Sequence, residues 1–261
     1  MKIHFFKYQG AGNDFILVDN RNIGFNHQKP DIIAALCDRR FGIGADGMMF
    51  LQNKEGYDFE MVYYNSDGNP SSMCGNGGRC IVAFARDLKI IDNETNFLAV
   101  DGPHYAKFSE SGEWVSLQMI DVDTVNTDGD AYILNTGSPH YVKSTQDLSK
   151  KDVYSEGKAI RYNDTYKDNG ININFVEDQG DHYFVRTYER GVEDETYACG
   201  TGVTAVALAM AIHKNQTGII NTPIKALGGD LNIRFNYDGI KFSNIFLEGP
   251  AEFVFEGFMS V

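Results

Sequence analysis

Apolar and polar positions alternate along most of the chain. Short alternating runs, rich in aromatic and β-branched side chains, predict strands at 58–64, 113–119, 182–188, 230–236 and 241–247. Three segments carry a helical pattern instead: 29–40, with Pro30 suited to the first turn, 75–88 and 200–214. The second and third are the most apolar helices, and strand outweighs helix overall. Glycine is frequent, with 27 residues, and clusters at strand ends and just before those two helices, where turns and close backbone approach need it. No low-complexity linker interrupts the pattern.

The two apolar helices open on the same signal. Cys74-Gly75-Asn76-Gly77 and Cys199-Gly200-Thr201-Gly202 share C-G-x-G followed by an apolar helix, 125 residues apart (199 minus 74), about half of a 261-residue chain. Each follows a polar strand end, Asn65-Ser66-Asp67-Gly68 in one case and Glu189-Arg190-Gly191 in the other. A duplicated unit of strand, loop, Cys and helix accounts for this, with both Cys-bearing helix starts expected at a common cleft between two similar halves.

Length and charge narrow the function classes. A chain of this size can bury a substantial core without metal or disulfide support, and none of its 4 Cys is spaced as C-x-x-C. Free thiols in a reducing compartment are the expectation. A net charge of −13 argues against nucleic acid or an anionic membrane as partner, because both require a basic face. The longest apolar stretch, 203–212, falls well short of the ~20 residues that cross a bilayer. The residues after Met1 develop no secretory h-region, so a cytoplasmic protein is expected.

A cysteine placed just before a helix sits where unpaired N–H groups and the positive end of the macrodipole favour an anion, which makes its thiolate usable. The same N–H groups can hold a substrate carboxylate where glycine keeps the approach open. A lone cysteine there is more often a small buried hydrophobe, but two matched copies suggest a pair. Two thiols facing one carbon, one charged and one protonated, would let a proton leave one face while another arrives on the opposite face, as in a racemase or epimerase. A hydrolase would pair one cysteine with a histidine, and no Cys-His-Asn order is apparent. Cys37, on the pattern of Ile32, Ile33 and Leu36, and Cys80, inside the helix after Cys74, read as packing residues.

At these residues the chain resembles the diaminopimelate epimerase family over its whole length. The carriers are Gly10-Ala11-Gly12-Asn13-Asp14-Phe15, Arg40-Phe41-Gly42-Ile43-Gly44-Ala45-Asp46-Gly47, Asn65-Ser66-Asp67-Gly68, Tyr188-Glu189-Arg190-Gly191 and the two cysteine motifs. The resemblance implies an isomerase that interconverts LL- and meso-diaminopimelate, in lysine and peptidoglycan precursor synthesis, without a metal or organic cofactor. It implies Cys74 and Cys199 as acid and base, with Cys199 taking the proton and Cys74 giving it in the LL-to-meso direction. The α-carboxylate would be held by Gly75, Asn76, Gly200 and Thr201. The distal ammonium and carboxylate would fall to Asn13, Asn65, Asn172, Glu189 and Arg190, whose guanidinium is a planar fork suited to a carboxylate. His140 and Glu189 would adjust the thiols. On residue type alone Asn13 and Asn65 also read as turn residues, His140 as a loop histidine, and Glu189 with Arg190 as a solvated ion pair.

The implied architecture is α/β (α+β): two pseudo-symmetric halves, each a curved, mostly antiparallel sheet around a central helix, with the active site in the cleft between them. The expected division is 1–120 plus 250–261, since the last strand, 252–259, would return to the first half, and 121–249. A homodimer is the expected assembly. Two positions depart from the family pattern: Gly47 where some members carry Gln, and Ser138 where members carry Asn before Pro-His. Both concern grip on the distal end of the substrate. A related isomerase acting on another amino acid, and a non-catalytic binder using the same cleft, stand as rivals.

Overall fold

The computed structural model describes residues 2–71 and 73–260. In chain order the elements are β1 (Lys2–Gly10), β2 (Asn13–Asp19), α1 (Pro30–Cys37), β3 (Gly47–Gln52), β4 (Phe59–Asn65), α2 (Gly75–Asp87), β5 (Glu94–Ala99), β6 (Gly102–Phe108) and β7 (Trp114–Gln118). There follow β8 (Val125–Asp128), β9 (Ala131–Asn135), β10 (Pro139–Ser144), a 3-10 turn (Leu148–Lys150), α3 (Val153–Arg161), β11 (Asn172–Asp178), β12 (Tyr183–Glu189) and β13 (Asp194–Thr196). The chain closes with α4 (Gly200–His213), β14 (Gly218–Ala226), β15 (Gly229–Tyr237), β16 (Phe242–Pro250) and β17 (Glu252–Ser260). The fold is α+β with strand dominant. It divides into two compact units, Met1–Leu117 with Gly249–Val261, and Gln118–Glu248.

The two units repeat one topology. In the first, β1 pairs antiparallel with β2, β2 runs parallel to β3, β3 antiparallel to β4, β4 parallel to β5, and β5–β6–β7 continue antiparallel. In the second, the succession of β9, β10, β11, β12, β14 and β15 is antiparallel, parallel, antiparallel, parallel, antiparallel, and β16 extends it antiparallel. Each parallel step is crossed by a helix, α1 and α2 in one unit, α3 and α4 in the other, as parallel pairing requires. β17 pairs with β1, and β8 with β9, so each sheet carries one added antiparallel strand on the same side.

Burial explains why these segments fold as they do. In β2 Ile16 and Val18 join Ile33 and Cys37 of α1 in one cluster, while Phe15 points the other way, toward Gly77 of α2. Phe15, Ile16, Leu17 and Val18 are all buried, as expected of a parallel strand covered on both faces. The second unit repeats the pattern, with Val153 of α3 packed on Ile173, Phe175 and Tyr188. The two central helices are enclosed: 75–85 of α2 are buried throughout, and so are Gly200 and 202–211 of α4. α4 is apolar on nearly every side, as an interior helix must be, whereas α2 is enclosed with Asn76 and Arg79 among its buried residues.

The strands expected from the pattern are present with ends shifted by one to three residues. The first helix is shorter than 29–40, because Asp38 is extended and its carboxylate accepts from the Arg40 and Phe41 N–H groups, which ends the helix at Cys37. Helix α3 has no counterpart in the sequence reading: its nine residues include Gly157 and few apolar positions, and its start is set by the Asp152 carboxylate accepting from Ser155 N at 3.0 Å.

Candidate active site

Cys74 and Cys199 occupy the same structural position, each the N-cap of its unit's central helix and each extended, with φ/ψ of −106°/129° and −110°/111°. Their carbonyls accept the first helical bonds, from Gly78 N at 2.7 Å and Val203 N at 2.9 Å. Neither helix has an acidic residue in its first turn, so no fixed anion competes for the positive end of the macrodipole. The thiol of Cys199 is buried and that of Cys74 half-buried, whereas Cys37 and Cys80 are both buried in the interior, where burial pushes each thiol up to about 12.

Within the first unit the motif residues before β2 and α2 come together. Asn76 donates its side-chain amide to Asn13 Oδ1 at 2.5 Å, and Asn13 in turn donates to Asp46 Oδ2 at 3.0 Å, so the Asn13 amide is held at both ends. Asp46 is bridged by Arg39, whose guanidinium also forks onto both oxygens of Asp14 at 2.9 and 2.6 Å. Lys7 reaches Asp14 at 2.7 Å and the Gly44 carbonyl. Burial would raise the Asp14 carboxyl, but the hydrogen bonds from Arg39 and Lys7 outweigh it and hold it at about 2. Asn65 stands apart from this network: it is exposed at the end of β4, with its backbone in the turn closed by Gly68 N. At Gly47 a Cβ would lie 2.5 Å from the Tyr63 ring and 2.9 Å from its hydroxyl. The missing side chain is thus the space that Tyr63 fills.

The second unit builds a denser cluster. His140 is fully buried on β10. The Asn174 amide nitrogen donates to its Nδ1 at 3.1 Å and to the Tyr141 carbonyl at 3.0 Å. That assigns the hydrogen to Nε2, which lies 2.9 Å from Thr201 Oγ1 and 3.0 Å from Ser138 Oγ. Thr201 Oγ1 is 3.5 Å from Cys199 Sγ, completing a line from Asn174 through His140 and Thr201 to the thiol. Burial, reinforced by the Arg190 charge, lowers His140 to about 3, so the ring is neutral. Ser138 is part of this cluster: its hydroxyl accepts from Asn172 Nδ2 at 3.0 Å and lies 3.2 Å from Thr201 Oγ1. Asn172 Oδ1 accepts from Arg190 N at 2.9 Å, while Glu189 accepts from Thr196 Oγ1 at 2.9 Å. The Arg190 side chain is exposed and donates to the Asn169 carbonyl at 3.2 Å.

Three contributors have no motif. Asn174 lies two residues beyond Asn172 on the same strand face, and alternation alone would have put the two amides side by side. Thr187 Oγ1 donates to Asn174 Oδ1 at 3.0 Å from the facing strand, which orients that amide. Thr136 Oγ1 donates to the Thr201 carbonyl at 2.8 Å and ties the β9–β10 turn to the start of α4.

This duplicated α+β fold is shared by solved proteins of low sequence identity. A phenazine biosynthesis protein of the PhzF family from Bacillus anthracis superposes with a TM-score of 0.76 at 15% identity, over 100% of both chains. A hydroxyproline epimerase from Agrobacterium vitis superposes with a TM-score of 0.68 at 12% identity, over 100% of this chain and 93% of that one. The family model described as diaminopimelate epimerase matches residues 5–125 and 132–254. The diaminopimelate epimerase of Flavobacterium psychrophilum is 55% identical over 96% of this chain and 98% of its own, and that of Chlorobaculum tepidum 40% identical over 95% and 98%. The chain belongs to the diaminopimelate epimerase family.

Proposed function

We propose that this protein interconverts LL- and meso-diaminopimelate by moving the α-proton between two thiols, Cys74 and Cys199, in lysine and peptidoglycan precursor synthesis. The observation that carries the reading is the matched pair of cysteine N-caps, each opening a buried helix whose first turn holds no acid. One thiolate removes the α-proton and becomes a thiol, while the other thiol delivers its proton to the opposite face and becomes a thiolate. Two thiols therefore account for both transfers without an electron-accepting cofactor. The mechanism requires one thiol from each functional half, 1–120 with 250–261 and 121–249, at opposite faces of the same carbon. Gly75, Asn76, Gly200 and Thr201 are assigned to the α-carboxylate through helix-start donors. Asn13, Asn65, Asn172, Glu189 and Arg190 are assigned to the distal end. His140, with Glu189, is assigned to adjusting the thiols.

No helix among the described residues is long and apolar enough to cross a membrane, which fits the proposed cytoplasmic site of action. Phe253, Val254, Phe255 and Phe258 of β17 are exposed, and this apolar strand supports assembly as a homodimer. The test of function is α-proton exchange in deuterium oxide. Exchange on diaminopimelate with no exchange on proline supports the reading, and the reverse overturns it. Full epimerisation by Cys74→Ala or Cys199→Ala would remove the two-thiol mechanism.

A further inference from the structure

The internal repeat aligns Arg79, five residues after Cys74, with Thr204, five residues after Cys199. Both side chains are fully buried, and both bond the carbonyl of the first helical residue: Arg79 Nη1 reaches Gly75 O at 3.3 Å, and Thr204 Oγ1 reaches Gly200 O at 2.9 Å. One half thus carries a cation where the other carries a neutral hydroxyl. The remaining partners of Arg79 are Asn76 Oδ1 at 3.0 Å and the Pro250 carbonyl at 3.4 Å. Every acceptor is uncharged, and among the described residues no carboxylate pairs with Arg79. A buried cation without an anion is costly, so its presence asks what its counter-charge is.

The charged and titratable groups around α2 narrow the answer. Cys80, on the same helix, is kept protonated by burial. On β1, Tyr8 donates to Asp87 at 2.5 Å and is raised by burial, so it stays neutral, and Lys7 pairs with Asp14. On β2, Asp14 is already shared by Lys7 and Arg39. On β17, Glu252 accepts from the neutral Gln9 amide at 2.7 Å and makes no ion pair with Arg79, whose acceptors are Gly75 O, Asn76 Oδ1 and Pro250 O. β3 carries no ionisable residue. Arg79 bonds Gly75 O and Asn76 Oδ1, on the two residues that follow Cys74, so its guanidinium lies in the helical turn this thiol caps, and the Cys74 thiol is the remaining candidate.

We propose that Arg79 is a positioning residue that makes Cys74 the resting thiolate of the pair, leaving Cys199 protonated beside the neutral His140 cluster. The guanidinium adds a full positive charge to the partial one of the helix start, and through Asn76 it also fixes the amide that meets Asn13. The direction in which Cys74 takes the α-proton then begins from the resting enzyme. The opposite direction begins only after the two thiols have exchanged their protonation states through solvent. The inference rests on the two-thiol reading above, but its test needs no substrate.

Iodoacetamide labelling of the full chain across pH, with each cysteine peptide resolved by mass spectrometry, gives a midpoint for each thiol. In the unmodified protein the Cys74 midpoint should fall about one pH unit or more below that of Cys199. Arg79→Met should raise the Cys74 midpoint by about one unit or more without moving Cys199, and Arg79→Lys should restore most of the difference. A reversed order in the unmodified protein, or a Cys74 midpoint unmoved in Arg79→Met while epimerisation falls, overturns the proposal. If Arg79→Met does not fold, the unmodified order and Arg79→Lys decide. Failure to exchange the α-proton of diaminopimelate, with these midpoints as expected, would overturn the assigned substrate and leave the charge assignment standing.

Discussion

Thr201 stands between His140 and Cys199, with its hydroxyl 2.9 Å from the imidazole Nε2 and 3.5 Å from the sulfur. Because Asn174 occupies Nδ1, the ring donates through Nε2, and the threonine hydroxyl is free to turn its own hydrogen toward sulfur. A buried neutral histidine thus supports, by relayed hydrogen bonding and without carrying charge itself, the anion that Cys199 becomes once it has delivered its proton.

Thr201→Val should break that relay while keeping the shape of the helix start. A hydrogen bond to a charged group is worth about 1.5–3 kcal/mol, so kcat for epimerisation should fall roughly 10- to 100-fold. Initial rates in both directions check this, and an unchanged kcat in both would remove the relay from the mechanism.

His140 should show no titration between pH 5 and 8, because its folded value lies near 3 and the ring is enclosed. The unfolded chain binds a proton near pH 6.5 and the folded one does not, so the stability from keeping His140 neutral is complete above that value. It is lost as pH falls from about 6.5 toward 3, by up to ~1.4 kcal/mol per pH unit for this one group. Imidazole NMR shifts and urea melts across pH test the two parts separately.

Asp14 behaves in the opposite region of pH. Its carboxyl is held at about 2, so the stability it contributes is complete above its unfolded value near 4 and disappears as pH falls from 4 toward 2. Asp14→Asn should cost about 2 kcal/mol at pH 7 and flatten the acid limb of the stability curve over that interval. A curve that keeps the same acid limb in the variant would show that the Lys7–Asp14–Arg39 cluster does not hold the Asn13 loop.

Gly202→Ala probes the packing behind the relay. A Cβ there would run into Asn174 Oδ1 and lie 3.2 Å from Cys199 Cβ, and the strand amide cannot move without releasing His140 and Thr187. We expect a loss of about 1–3 kcal/mol in denaturant unfolding, together with lower activity. Wild-type stability and rate would mean that Asn174 has freedom the packing denies.

The proposed assembly through β17 is tested by Phe253→Ser with Phe258→Ser. Phe253 packs on Tyr8 at 5.6 Å between ring centres and Phe258 stacks on His4 at 4.5 Å, yet both remain at least half exposed. Sedimentation should move from dimer to monomer in the double variant. A monomeric unmodified protein would dispose of the dimer.

Local signals carried much of this protein. The glycines after Cys74 and Cys199 and the apolar runs behind them mark two helix starts, because a cap depends on residues within a turn of each other. Alternation marks the strands for the same reason. The shorter α1 and the unexpected α3 mark the limit of that reading: the first is cut by a side chain turning back on its own backbone, the second is too short and too polar for its period to register.

The amino-acid sequence by itself determined the two cysteine caps, the enclosed helices and the strand-rich pattern, since each follows from side chains a few residues apart. Only the tertiary structure decided that Asn174 meets His140 across 34 residues, that Ser138 joins the same cluster, and that Arg79 is buried against Pro250, 171 residues away. Those contacts depend on strand register and helix docking, and a shift of one residue in a strand would turn each amide to the opposite face.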